Sequence, residues 1–296
     1  LDFADFEIII LPDGESAFPV INGKAPVRVI PTGAINPARK RDIGMKEAKG
    51  EILAFLDDDA FPVSNWLKCA LENLADPLVA AVGGPAVTPR TDSLRQRASG
   101  RVFASLLVSG KYIYRYLPRK KQEVDDYPSC NFLVRKNIMK EVGGFNTDFW
   151  PGEDTKLCLM ITKQLKKKII YDPTVLVYHH RRELFLPHLR QVCSYALHRG
   201  YFVKKFPQTS LRIAYFLPTI FVFGIFFAGA VSLFSPVLRS LYLLGISFYI
   251  SLVFVFSLSR PLRMVPWVFC GIILTHFGYG VKFLQGLFTP RLKDEP

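Results

Sequence analysis

The sequence predicts an α/β domain followed by a membrane-spanning tail, and three observations carry that prediction. Ile52 to Leu56 is a short apolar run that ends in Asp57-Asp58-Asp59, and such a run suits a strand buried on both faces of a parallel sheet. Strand-like and helix-like segments alternate up to about residue 180, the pattern of a mainly parallel sheet. Beyond residue 210, three long apolar runs follow one another.

Taken in order, Phe6 to Leu11 is the first strand candidate, closed by the breaker-rich turn Pro12-Asp13-Gly14. Val27 to Ile30 is the second, leading into a helix from about Pro37 to Ala48. Pro37 fits the first helical turn and Gly50 the helix stop. After the acidic strand come a helix near Asn65 to Leu74 and a strand at Val79 to Val82. Arg90 to Tyr116 mixes Ser, Arg and aromatic residues, and reads as a mobile or interface-facing excursion. Asn131 to Arg135 resumes a strand, and a short helix ends at Gly143-Gly144-Phe145.

Gly152-Glu153-Asp154 opens a helix with the apolar stripe Leu157, Met160, Ile161 and Leu165. Carboxylates in a first helical turn gain about 0.3–1 kcal/mol from the helix dipole. That alone would account for Glu153 and Asp154. Ile169 to Tyr171 and Val175 to Tyr178 are the last strands, the second running into His179-His180-Arg181-Arg182.

Leu186 to Phe206 has helical spacing and cationic flanks. It fits an amphipathic helix lying in a membrane interface, with a plain core helix as the alternative. The runs Ile213 to Phe234, Leu238 to Leu258 and Met264 to Val281 each approach the roughly 20 residues needed to span hydrocarbon. None has a central charge, and His276 is the one ionisable residue well inside. Lys204, Lys205, Arg212, Arg260 and Arg263 favour a cytosolic side for the first domain and the second loop. The expectation is a multi-pass plasma-membrane protein with its first domain in the cytosol. A net charge of +13 without any nucleic-acid motif fits a surface resting on anionic headgroups. The five cysteines lack Cys-x-x-Cys spacing, so they read as packing thiols in a reducing compartment.

The acidic turn carries the chemistry. Two carboxylates about 4 Å apart repel by roughly 4 kcal/mol at an effective dielectric near 20. A positive partner among them is therefore expected, and hard oxygen ligands favour Mg²⁺ or Mn²⁺. A solvated acidic turn capping the next helix is the bland alternative.

Four landmarks now stand in order: Lys40-Arg41-Asp42-Ile43-Gly44, Leu56-Asp57-Asp58-Asp59, Gly143-Gly144-Phe145 with Gly152-Glu153-Asp154, and Val177-Tyr178-His179-His180. Together they resemble the family 2 glycosyltransferases of the GT-A fold, particularly membrane-bound members, over about residues 6 to 200. The resemblance implies a GT-A nucleotide-diphospho-sugar transferase fold, with a Rossmann-like mixed sheet. It implies a catalytic domain over 1–182, an amphipathic interfacial helix over 183–210 and about three transmembrane helices over 211–296. Asp13, Arg41, Asp57 and Asp58 would bind the nucleotide-sugar donor. Asp57, Asp59 and His179 would hold Mg²⁺ or Mn²⁺, with His180 as the alternate to His179. Asp154 would be the general base of an inverting transfer and Glu153 its support. Asn131, Gln191 and Tyr195 would face a lipid-linked or polysaccharide acceptor.

The sequence departs from the family pattern in places. Asp42 stands where the family usually has Asn, and Pro12 where a second Asp is common. Processive synthases carry Gln-x-x-Arg-Trp; here Gln191-Val-Cys-Ser194-Tyr195 lacks the Arg and Trp, which argues against a polymerising enzyme. The family's sheet opens with a strand and helix that would precede Leu1, so an N-terminally incomplete member is expected. Two rival readings are a haloacid-dehalogenase-type phosphatase with Asp57 as nucleophile, and an inactive membrane scaffold.

Overall fold

The computed structural model describes residues 1–15 and 25–293. In chain order the first elements are β1 (Ile8–Ile10), β2 (Val27–Val29), α1 (Pro37–Glu47), β3 (Ile52–Leu56), β4 (Ala60–Pro62) and α2 (Trp66–Asn73). Next come β5 (Val79–Gly83), β6 (Ala86–Val87), α3 (Leu94–Phe103), α4 (Leu106–Ser109) and β7 (Gln122–Val124). β8 (Asn131–Arg135), α5 (Lys136–Glu141), α6 (Glu153–Leu159), β9 (Lys168–Tyr171) and β10 (Val177–His179) follow. Five helices complete the order: α7 (Leu186–Lys205), α8 (Pro207–Ser210), α9 (Ile213–Val231), α10 (Pro236–Ser257) and α11 (Val265–Phe288). These elements gather into two compact units. Leu1–Val87, Pro118–His179 and Lys293 belong to the first; Thr88–Leu117 and His180–Leu292 form the second.

The first unit is built on a mixed sheet of order β3-β8-β5-β9-β7. Within this sheet only β5 and β9 pair in parallel; β8 runs antiparallel to both β3 and β5, and β7 antiparallel to β9. The mainly parallel sheet expected from the alternation is therefore corrected. β8 comes late in the chain yet inserts between β3 and β5, which puts β3 at an edge with Ala54 and Leu56 exposed. Trp66, Leu74, Val79, Val82, Leu133 and Val177 form the core beneath. A second sheet, of order β4-β10-β6, aligns His179 of β10 opposite Ala60 of β4.

The second unit is helical. Arg90 to Tyr116 is not a mobile excursion but supplies α3, α4 and a 3₁₀ turn at Gly110–Arg115. Ser93 caps α3 reciprocally with Gln96: its hydroxyl accepts from the Gln96 N–H at 3.2 Å, and the Gln96 side chain accepts from the Ser93 N–H at 3.1 Å. That Ser-x-x-Gln signal was present in the sequence. Ala98 and Val102 of α3 then pack with Leu184, Val253, Met264 and Ile272.

α11 lies along α7, and glycine sets how closely. A Cβ at Gly200 would fall 2.1 Å from the Phe283 carbonyl oxygen, and one at Gly286 would fall 2.0 Å from that of Leu197. Backbone thus approaches backbone from both helices, the device that small residues provide between membrane helices. Ile213–Phe234, Pro236–Ser257 and Leu262–Phe288 are each long and apolar enough to cross a membrane.

His188 of α7 is fully buried. Its Nδ1 lies 2.8 Å from Ser99 Oγ and its Nε2 3.0 Å from Thr275 Oγ1. Burial, aided by the charge of Arg181, lowers its pKa from 6.5 to about 4. The unfolded chain therefore binds a proton that the folded chain refuses between those values. Stability should be complete above about pH 6.5 and decline as pH falls towards 4, by up to about 3 kcal/mol. In detergent-solubilised protein, His188→Gln should flatten that part of the stability-against-pH curve; an unchanged slope would assign it elsewhere. Gly286→Val should separate α7 from α11 and cost about 1–3 kcal/mol. Gly224→Ala, where a Cβ meets nothing within 4 Å, should leave the melting temperature near that of the parent.

Candidate active site

The edge position of β3 brings the acidic turn to the rim of the first unit. The Ala60 N–H donates to the Asp57 carbonyl at 3.1 Å, so the chain turns tightly into β4. Because β10 pairs with β4 in the His179–Ala60 register, His179 arrives beside that turn. Its Nε2 lies 2.8 Å from Asp59 Oδ1. Ligand atoms of Asp57, Asp59 and His179 all fall within 4.8 Å of one another.

Arg41 of α1 joins this rim to α6. Its Nη2 donates to Asp57 Oδ1 at 2.9 Å and its Nη1 to Glu153 Oε1 at 2.8 Å. Glu153 is buried, and it also accepts from the Gly152 N–H at 3.0 Å and from Ser129 Oγ at 3.5 Å. Burial pulls the Arg41 pKa down, but the charges of Glu153 and Asp57 outweigh it and the net shift is upward. The guanidinium also sits 5.7 Å from the ring centroid of Phe145. Phe145 is fully buried and packs edge-on against Phe55 of β3 at 5.3 Å. Asp154, next to Glu153, is half-buried, and its Oδ1 accepts from the Thr155 N–H at 2.8 Å.

The remaining sequence candidates are placed as follows. Asp13 is exposed and ion-paired with Lys40 of α1, whose ammonium also donates to the Leu11 carbonyl at 3.1 Å. Asp58 is exposed in the turn. Gln191 and Tyr195 hydrogen-bond each other at 3.2 Å on α7, in the second unit. His180 also falls in the second unit, with its Nδ1 2.5 Å from Asp92 Oδ1.

Asn131 must be corrected. It does not face an acceptor: it is fully buried, and its amide stitches the fold. Its Nδ2 donates to the carbonyls of Gly84 at 2.7 Å and Val175 at 2.8 Å, while its Oδ1 accepts from Trp66 Nε1 at 2.9 Å. A buried amide satisfied in this way is a structural brace. Sequence reasoning missed the bridging role of Arg41 towards Glu153, and missed Phe145 as its packing partner. The Arg and the Gly-Gly-Phe turn were both visible, but nothing local says that Arg41 will meet a glutamate 112 residues further along the chain.

A mixed sheet with carboxylates and a histidine at its rim defines a class, a GT-A-like glycosyltransferase domain. The comparisons agree: residues 2–143 match the model of Glycosyl transferase family 2. A 149-residue stretch is 31% identical to the Pre-mycofactocin glycosyltransferase of Mycobacterium tuberculosis, in both strains CDC 1551 / Oshkosh and ATCC 25618 / H37Rv. That stretch is 50% of this chain and 31% of each relative, so the match spans under a third of the curated relatives' length. Among solved structures, mannosyltransferase PcManGT from Pyrobaculum calidifontis, in complex with GDP-Man and Mn²⁺, has a TM-score of 0.57 at 17% identity. The likeness covers 92% of this chain and 77% of that one, and it shows the fold.

Removing the Arg41 guanidinium leaves Glu153 buried without its cation. Losing one partner of a buried pair costs about 3–5 kcal/mol, and the Glu153 side chain is only 6% exposed. Arg41→Gln should therefore lower chemical stability by a large part of that range. Asp13→Asn, at an exposed pair, should change it by less than about 1 kcal/mol. Equal effects in denaturant titrations of the two variants would contradict this ranking.

Proposed function

We propose that the chain is an inverting, metal-dependent glycosyltransferase that moves a sugar from a nucleotide-diphospho-sugar to a membrane-associated acceptor. The observation that carries the reading is the convergence of Asp57, Asp59 and His179 within 4.8 Å. Two carboxylates and one imidazole suit Mn²⁺, and the carboxylates also suit Mg²⁺. Those three residues would hold the ion, which when bound supplies a Lewis acid for the diphosphate leaving group. PcManGT, which shares the fold, is solved in complex with GDP-Man and Mn²⁺, and a metal-bound sugar nucleotide is the ligand this reading gives the present chain.

The chain's own residues supply the rest. Arg41, fixed between Asp57 and Glu153, holds its positive charge at the rim and orients β3 against α6. Asp154 is the group to accept the proton of the acceptor hydroxyl as its oxygen attacks the sugar. Glu153 is unsuited to that task, since its carboxylate is already committed to Arg41 and buried. The three apolar helices favour an acceptor carried on a lipid or a surface polysaccharide at the membrane. The domain match to glycosyltransferases over 2–143 leaves the phosphatase reading without support.

Calorimetric titration with Mn²⁺ and a nucleotide-diphospho-sugar tests the metal assignment. Asp57→Asn and His179→Ala should each weaken metal-dependent donor binding by at least about tenfold, the scale of one lost charge-assisted contact. Asp154→Asn should bind donor as the parent does, yet lose about 10²–10⁴ in transfer rate. Undiminished turnover in Asp154→Asn would falsify its role as base. Metal-independent donor binding in the parent would remove the metal site itself.

A further inference from the structure

The three apolar helices of the second unit are not packed alike. α9 buries only Thr219 and Val222, and α10 only Val253 and Ser257, whereas α11 buries residues along its whole length, from Val268 to Gly286. α9 meets the C-terminal half of α11. Phe216 lies against Phe283 with ring centroids 4.9 Å apart, Thr219 Oγ1 donates to the Gly280 carbonyl at 2.8 Å, and Phe221 lies 5.9 Å from His276. α10 meets the N-terminal half, with the Tyr249 hydroxyl 3.0 Å from His276 Nδ1 and Val253 packed among Met264, Val268 and Ile272. The arms of the α9–α10 hairpin thus take opposite halves of α11, which lies across their open end. α3 and α7 line a different side of α11. Arg95 of α3 stands 5.2 Å from a Trp267 ring centroid near its start, and Lys204 of α7 donates to the Thr289 carbonyl at 2.7 Å just past its end. What stays exposed on α11 is one stripe, carried by Pro266, Cys270, Leu274, Val281, Gln285 and Phe288 at helical spacing.

We propose that only α9 and α10 cross the bilayer, and that α11 lies along one membrane surface, in the headgroup layer, with its exposed stripe turned to the acyl chains. Three observations carry this. First, α3 and α7 follow α11 from Trp267 to Thr289, so a crossing α11 would draw both into hydrocarbon. They would bring the exposed Arg101 and Arg190 with them, and charges facing lipid at that depth are costly. Second, the hairpin alone is long enough. Ile213–Phe234 and Pro236–Ser257 have 22 residues each, about 33 Å of helix against a hydrocarbon core of about 30 Å. Third, the charges agree. Arg212 precedes α9, Arg260 and Arg263 join α10 to α11, and Arg291 follows α11, so a flat α11 keeps all four beside the anionic headgroups of one leaflet. Three spans would instead divide Arg260 and Arg263 from Arg291, against the bias that gathers cations on one side. Arg239, in the first turn of α10, then marks the far surface near the hairpin tip.

Single cysteines in the full chain, its other cysteines changed to alanine, test the proposal in sealed membrane vesicles with an impermeant maleimide. Leu186→Cys on α7 and Pro290→Cys after α11 should react alike, and Ser235→Cys at the hairpin tip should differ from both by tenfold or more in rate. Nitroxides on Cys270, Leu274→Cys, Val281→Cys and Phe288→Cys, all at exposed positions, should report one shallow depth, about 5–10 Å into the headgroup and acyl boundary. A crossing helix would instead change depth by about 21 Å between Leu274 and Phe288. The chain with all its cysteines in place gives an independent reading: epitope tags at its two ends should be removed together by protease added to sealed vesicles. The proposal is overturned if Pro290→Cys reacts as Ser235→Cys does, if Ser235→Cys reacts as Leu186→Cys does, if the nitroxide depths follow a crossing helix, or if the two tags are cut from opposite sides. None of these readouts depends on donor or metal, so the outcome stands apart from the transferase assignment.

Discussion

The first unit's rim depends on one part-buried cation. Arg41 reaches from α1 to hold Asp57, at the end of the edge strand, and Glu153, in the first turn of α6. Without it, two carboxylates would face each other across a part-buried gap. With it, the guanidinium fork fixes their separation, because its two nitrogens point in set directions. A lysine would supply the charge but not that geometry. The pair also explains how adjacent acidic residues divide their work. Glu153 is committed to structure, whereas Asp154 remains half-buried at the same helix start.

Strand register does for His179 what Arg41 does for Asp57. Histidine at the end of β10 is near the acidic turn only because β10 pairs antiparallel with β4, and Ala60 directly follows Asp59. A slip of one residue would turn the imidazole to the opposite face of that small sheet. Stacking of Phe61 on Tyr178, at 5.2 Å between centroids, secures the adjacent pair in the same ladder. Apolar packing thus sets the position of a polar ligand.

How far the sequence could be read follows from the range of the forces involved. The bounds of β3 were legible to the residue, since a continuous apolar run ending in three aspartates is a local signal. The neighbours of β3 were not, because the insertion of β8 is decided by pairing across the whole sheet. The metal candidates were legible through the resemblance, and their convergence required the fold. The acceptor role of Asn131 came with the resemblance, and only the fold shows its amide spent on three buried partners. The helices within Arg90 to Tyr116 were hidden by polar composition. Their apolar faces are met by helices 80 or more residues away, and only the Ser93-x-x-Gln96 cap announced them locally.

The departure at Asp42 has a physical reason in the turn it faces. The N–H groups of Phe145 and Asn146 both point at this side chain, donating to Oδ1 at 2.8 Å and Oδ2 at 3.0 Å. A carboxylate offers an acceptor to each; an amide would meet one of them with its own donor. The preceding residue must accommodate the same contact. Gly144 has φ of +80°, and a Cβ there would lie 2.4 Å from Asp42 Oδ1. Only glycine satisfies both the backbone and the approach. By clamping this turn, Asp42 holds Phe145 between Phe55 and Arg41. The residue beside Arg41 therefore contributes to the rim without touching it, by seating the ring against which the guanidinium is packed.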